Sequence, residues 1–176
     1  MRSNQAWTLG KARRGALGLG AAGLLGLSAV GVTPAMAQSS QITVVVHEIK
    51  LIDRVDALSQ ADIFVRATIA GETKATPPMK QTGRPGEVIR TELTLSGAVK
   101  PGTHAVKLEL LDKDLRSDDT IDINRIADRR VLEFTVDTRS CRIGGFVSTY
   151  RCKQRITRAG AEKKAAQITF SVEVNK

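Results

Sequence analysis

The sequence predicts an all-β protein, an eight-stranded antiparallel β-sandwich that follows a cleaved signal peptide over residues 1–37. Three observations carry this. After residue 40 the apolar residues recur with a period of two rather than 3.6. Proline and glycine clusters cut these runs into short segments. Only residues 159–167 have a helix-like composition, and that stretch is short enough to be a turn between the last strands.

The β-branched run Ile42-Thr43-Val44-Val45-Val46 opens the first strand. Ile63, Val65, Ala67 and Ile69 alternate with Phe64, Arg66, Thr68 and Ala70 until Gly71 breaks the pattern. Residues 88–95 place Leu93 and Leu95 on one face, and Ser96-Gly97 closes them. A Pro101-Gly102 turn then leads into Val106, Leu108 and Leu110, which alternate with Lys107 and Glu109. Residues 131–136 and 168–174 repeat the theme, and Gly144-Gly145 interrupts a hairpin whose two strands flank it. Thr76-Pro77-Pro78, Gly83-Arg84-Pro85-Gly86 and Lys100-Pro101-Gly102 separate the segments. Short strands at this spacing in one domain imply a sandwich.

The amino-terminal region carries Arg2, Lys11, Arg13 and Arg14, with no acidic residue before Glu48. A run of Gly, Ala, Leu and Val from Gly15 to Val32, broken only by Ser28, is followed by Pro34 and Ala35-Met36-Ala37. A positive start, an apolar middle and an A-x-A end make up a secretory signal. Seven glycines between Gly10 and Gly31 make the same stretch a poor membrane-spanning helix. Ala12-Arg13-Arg14-Gly15-Ala16-Leu17 also resembles a twin-arginine export signal, without the usual Ser or Thr before the pair or Phe after it, so both export routes stay open. The expected address is the periplasm or the exterior, in association with a surface. Residues 38–176 then form one domain of ordinary size.

The leader takes four of the 27 basic residues and none of the 18 acidic ones, leaving 23 against 18, a net charge of +5. That balance and the export signal argue against a nucleic-acid partner. Cys141 and Cys152 are the two cysteines, and in an oxidising compartment they are expected to form one disulfide closing a short hairpin loop. A cysteine nucleophile would need a base, and the chain offers only His47 and His104.

Two loops are dense in carboxylates: Asp56-Ala57-Leu58-Ser59-Gln60-Ala61-Asp62, and Asp112-Lys113-Asp114-Leu115-Arg116-Ser117-Asp118-Asp119. A hard divalent cation takes six to eight oxygen ligands, largely carboxylate and carbonyl. An EF-hand does not fit: with Asp112 first, Ser117 stands where the turn glycine belongs and Ile123 where the bidentate Glu belongs.

On these residues the chain resembles the C2 domain of the protein kinase C and synaptotagmin type, a calcium-dependent phospholipid-binding β-sandwich. The likeness runs from about Ile42 to Ile126. Asp56 and Asp62 have the spacing of that family's first loop, with Ile63-Phe64-Val65-Arg66-Ala67 in place of its following strand. Asp112, Asp114 and Asp119 match its later D-x-D…D loop, with Asp118 as a rival for the last role. Pro is missing after Asp62, Leu111 replaces the aromatic before D-x-D, the second loop is one residue shorter, and Asp122 stands where a Gly usually follows.

The resemblance implies a C2-like Greek key in which Asp56, Asp62, Asp112, Asp114 and Asp119, helped by the carbonyls of Val55 and Lys113, coordinate two or more calcium ions; the departures would allow one. It also implies that Leu58 and Leu115 enter a membrane while Arg116 meets phosphate; from the residues themselves, Leu58 folding back onto the sandwich and burial of Leu115 both stay open. Residues 139–164 add eight basic side chains against Glu162 alone, a patch suited to an anionic membrane or polysaccharide. The expected function is a non-enzymatic calcium-binding module that attaches to anionic phospholipid or another envelope surface. The alternative is an extracellular structural or adhesion domain, with structural calcium, that contacts a protein or glycan. No supported Ser/His/Asp arrangement, phosphate loop or zinc-type cluster points to an enzyme.

Overall fold

The computed structural model describes residues 39–55 and 60–176. The leader at 1–37, Asp56 and Leu58 lie outside the described residues. Among the described residues the chain forms β1 (Ser40–Leu51), β2 (Ala61–Ile69), β3 (Glu72–Ala75), β4 (Met79–Gln81), β5 (Val88–Val99), β6 (Thr103–Asp112), β7 (Asp119–Ile121), β8 (Leu132–Asp137), β9 (Arg142–Gly144), β10 (Tyr150–Arg151), β11 (Ile156–Ala159) and β12 (Ala166–Asn175). All eight strands expected from the alternation are present, as β1, β2, β5, β6, β8, β9, β10 and β12. The other four are short and complete the sheet margins. The segment between β11 and β12 is a turn, with no helix.

One sheet has the order β11-β12-β1-β5, and the other runs β10-β9-β8-β6-β2-β3, with β4 also on β2 and β7 also on β6. The chain crosses between sheets from β1 to β2, β4 to β5, β5 to β6 and β10 to β11. The core lies between the sheets. It takes Ile42, Val44, Val46, Ile49 and Leu51 from β1, Ile63 and Val65 from β2, Leu108 and Leu110 from β6, and Ile168, Phe170 and Val172 from β12, each essentially inaccessible to solvent. Burying such side chains contributes about 1.5–3 kcal/mol each.

The two-residue period in β1 breaks between Val46 and Ile49, and the pairing shifts register there on both sides. One extra residue at this bulge returns Ile49 and Leu51 to the inner face. His47 occupies it and bridges both neighbouring strands, its Nδ1 3.0 Å from a Glu92 carboxylate oxygen and its Nε2 2.9 Å from the Ser171 hydroxyl. His104 Nε2 donates to the Lys100 carbonyl at 2.7 Å across the Pro101-Gly102 turn.

Cys141 and Cys152 are joined in a disulfide that closes the β9–β10 hairpin at its base. Aromatic rings link this hairpin to the core. Phe170 and Phe146 each stand 5.5 Å from Phe134, and Phe146 meets Tyr150 edge-on at 5.8 Å. Such pairs add about 0.5–1.5 kcal/mol each beyond area burial.

Candidate functional site

The start of β2 and the end of β6 meet at one end of the sandwich because the two strands pair antiparallel, with Ile63 opposite Asp112. Residues 50 apart in sequence are clasped there. The Asp62 N–H donates to Asp112 Oδ1 at 2.7 Å, and the Lys113 N–H donates to the Asp62 carbonyl at 3.0 Å. The chain then leaves β6 as loop 113–118 and returns as β7, which sets Asp119 opposite Asp112. Asp62, Asp112, Asp114 and Asp119 therefore share one end of the larger sheet, as the two-loop pattern requires.

They do not converge on one point. Residues directly opposite one another across a ladder share a face, and neighbours along a strand alternate. Ile63, Asp112 and Asp119 stand in one row on the inner face, and Asp112 is buried. Asp62 belongs to the outer face, where its partner across β4 is Lys80. Asp62 and Asp114 line an open cleft of about 770 Å³ together with Lys80, Lys113 and Arg116. Two carboxylates there face three cations.

Asp119 has its own counter-ion: Lys164 Nζ, from the turn before β12, makes an ion pair with Asp119 Oδ2. Asp118, the residue before β7, is exposed. Arg66 holds its proton more tightly than usual, chiefly through its hydrogen bond with Glu109, and the charge of Asp118 adds to that effect. Of the two rivals, Asp119 is the one set opposite Asp112, and it already has a cation of its own in Lys164.

An all-oxygen donor set of this kind suits a hard divalent cation. Among the described residues, however, no three acidic or imidazole side chains group tightly enough to hold a metal ion. Asp56, the fifth expected ligand, lies outside the described residues, as does the loop tip at Leu58. The donor chemistry fits calcium; the described geometry supplies two pairs of carboxylates rather than one cluster.

The second loop presents to solvent both residues expected to meet a membrane. Leu115 is fully exposed at the loop tip, at 108% of its reference area, and Arg116 beside it is also exposed. Leu115 is one of five large apolar side chains exposed among the described residues; the others are Ile52, Val88, Ile126 and Val147.

Lys164 and Asp122 were not legible as site residues. Asp122 is completely buried and accepts three backbone hydrogen bonds, from Asn124 at 2.9 Å to Oδ1 and from Ala161 and Glu162 at 2.8 Å each to Oδ2. It fastens the turn that carries Lys164. An added Cβ at Gly160 would collide with the Asp122 backbone, so that position needs glycine. The sequence signal was there, in Gly160 and the Lys163-Lys164 pair, but nothing in the chain before them shows what they approach.

No family model matches the chain, and no curated protein matches it in sequence. Solved structures do. Human GIVD cytosolic phospholipase A2, in complex with methyl gamma-linolenyl fluorophosphonate, superposes with a TM-score of 0.51 and 14% identity, over 78% of this chain and 17% of that one. A C2 domain of plant Extended Synaptotagmin 1 superposes with a TM-score of 0.50 and 9% identity, over 77% of this chain and 94% of that domain. This chain spans about a sixth of the length of the phospholipase, so the likeness concerns one domain of it. The fold is that of a C2 domain.

Proposed function

We propose that the protein is an exported, non-catalytic C2-like module that attaches to anionic phospholipid, or to another anionic envelope surface, through the end of the sandwich that carries loop 113–118. One observation supports this above the others. Leu115 projects fully into solvent between Lys113 and Arg116, above a cleft that contains Asp62 and Asp114.

The magnitudes show why the loop would need help. Burying one leucine gains about 1.5–3 kcal/mol, and each basic residue near an anionic leaflet gains about 1 kcal/mol. The tip alone then provides on the order of 4 kcal/mol, a dissociation constant near 1 mM. A bound calcium ion would supply positive charge at this end of the sandwich, offsetting the carboxylates that otherwise repel an anionic surface. Asp62 and Asp114, with Asp56 and the carbonyls of Val55 and Lys113, would hold it. Asp112 serves first to clasp β2 to β6, and Asp119 can join only by releasing Lys164. In an exported setting the site would be filled most of the time, because extracellular modules are tuned to about 10⁻⁴–10⁻³ M calcium.

Sedimentation with phosphatidylglycerol-containing vesicles, with calcium and with chelator, tests the reading. Calcium should raise the bound fraction, and Leu115→Ala should lower it about tenfold. Binding that ignores both calcium and Leu115→Ala would remove this end of the molecule from consideration. A calcium-dependent rise in melting temperature without vesicle binding would identify the alternative, an adhesion domain with structural calcium.

A further inference from the structure

A second surface lies along the margin of the larger sheet, where the chain between β7 and β8 bulges out as residues 122–131 and faces the tip of the β9–β10 hairpin. Between them runs a groove of about 750 Å³. We infer that this groove is a calcium-independent binding surface for an anionic phospholipid bilayer, with an aliphatic tip on each lip entering the bilayer and arginines between them taking lipid phosphate. The inference deepens the proposed membrane attachment and rests on it.

The lips are built to present their tips. Residues 122–131 are closed at their base by the Ile123 N–H donating to the Arg130 carbonyl at 3.0 Å and by Asn124 Nδ2 donating to the Val131 carbonyl. Ile126 is left 55% exposed. On the opposite lip the disulfide and the Gly145 turn hold the hairpin. Gly145 has φ +95°, and a Cβ there would stand 2.9 Å from the Phe134 backbone, so only glycine lets the tip approach β8 so closely. Beyond it Val147 is fully exposed, at 106%.

The floor is aromatic and its cap is cationic. Of the six aromatic residues in the chain, Phe134, Phe146, Tyr150 and Phe170 form one stack running from the core to this groove. The Arg158 guanidinium lies 4.4 Å above the Phe146 ring and donates to the Tyr150 hydroxyl at 3.0 Å. Arg125, Arg129 and Arg130 line the other side, against the carboxylates Asp128 and Glu133. The Asp128 end is tied by its N–H to Glu162 at 2.7 Å. Arg130 keeps one buried Nε–H without an acceptor, and its Nη2 donates to the Lys163 carbonyl.

Direction favours a membrane over a soluble partner. β8 is antiparallel to β6, and β9 to β8, so β9 runs the same way as β6. The hairpin tip therefore points toward the end that carries Leu115. Two solvent-projecting aliphatic side chains flanked by arginine are what an interfacial contact needs, and an acidic soluble partner would not require them.

The test is vesicle sedimentation of the purified protein in chelator, comparing phosphatidylcholine vesicles with and without phosphatidylglycerol. Binding should require the anionic lipid. Arg125→Gln/Arg129→Gln should weaken it about thirtyfold, from about 1 kcal/mol per basic residue. Ile126→Ser/Val147→Ser should weaken it by a further factor of about ten or more while leaving weak binding to soluble polyglutamate intact. All four positions are exposed, and unchanged melting curves confirm folding. The inference is overturned if chelator abolishes vesicle binding, if neither double variant changes it, or if polyglutamate binds as tightly as vesicles. Binding that appears only with calcium and ignores the groove variants would overturn the groove and leave the loop reading standing. No vesicle binding in either condition would overturn both.

Discussion

Replacing Asp122, just beyond β7, should cost more stability than replacing any acidic residue of the two loops, although the sequence reads it as a mere departure from the C2 pattern. Its carboxylate is completely buried and accepts three backbone N–H groups. Asp122→Ala leaves all three donors without an acceptor. An unsatisfied buried donor costs about 1–3 kcal/mol. Ala161 is exposed and Asn124 and Glu162 are half-buried, so water can reach part of the vacated space and the low end applies. The expected loss is about 3 kcal/mol. Asp122→Asn keeps one oxygen, which can serve Ala161 and Glu162 together, and turns its amide against the Asn124 N–H. That loss should be about 1–2 kcal/mol. Urea unfolding followed by far-ultraviolet circular dichroism separates the cases, because the midpoint should move while the slope stays constant. Asp118→Ala, at an exposed position, serves as the control and should change stability by less than about 0.5 kcal/mol. A loss for Asp122→Ala no larger than the control's would refute the hydrogen-bond account. So would an Asp122→Asn variant as damaged as Asp122→Ala.

The Lys164–Asp119 pair is more than a third exposed on both sides, so it is worth less than about 1 kcal/mol. Lys164→Gln should barely change the melting temperature, yet raise calcium affinity by up to about fivefold in titration calorimetry if Asp119 is a ligand; an unchanged affinity would remove Asp119 from the ligand set. Glu109 is buried, which alone would raise its pKa, but hydrogen bonds and charge from Arg66 and Lys107 hold it below the ordinary glutamate value. Its contribution is therefore present above the unfolded pKa of about 4.3 and lost as pH falls through the lower folded value. Glu109→Gln should lower the neutral-pH melting temperature and flatten the acid limb below about pH 4; an acid limb identical to wild type would show that the depressed pKa is absent. Reducing the Cys141–Cys152 disulfide, which closes a loop with a sequence separation of 11, should cost about 2–4 kcal/mol. A midpoint unchanged by reductant would show that the hairpin is held by its aromatic stack alone.

The long strands were legible because one face of each is buried and the other is not. Ile63, Val65, Ala67 and Ile69 could be read directly as an inner row, and so could Val106, Leu108 and Leu110. The short strands carry no such contrast. β3 is exposed at every position, and β7 is three residues inside an acidic loop. The full length of β1 was hidden for a different reason. The bulge at His47 shifts the period by one residue, so Ile49 and Leu51 look out of step with Val44 and Val46 until the extra residue is counted. At the site, the meeting of the two loops was expected only through their resemblance to those of a C2 domain, and the pairing of β2 with β6 is what brings Asp62 to Asp112. The division of the carboxylates between inner and outer faces was not expected, since it depends on which residue stands opposite which.

Both candidate surfaces depend on one turn that composition alone described as helix-like. Between β11 and β12, Lys164 reaches Asp119 in the acidic loops, while Glu162 holds Asp128 and the Lys163 carbonyl holds Arg130 on the groove lip. Asp122 fixes that turn through Ala161 and Glu162, and its own N–H and C=O add bonds to Lys164 and Ala166. A carboxylate with no expected role thus stands between the loop end and the arginine groove. If the two surfaces act on the same membrane, Asp122→Asn, which should remain folded, ought to weaken vesicle binding in chelator as well as in calcium. A purely local role in stability predicts instead that both binding curves stay unchanged at temperatures well below melting.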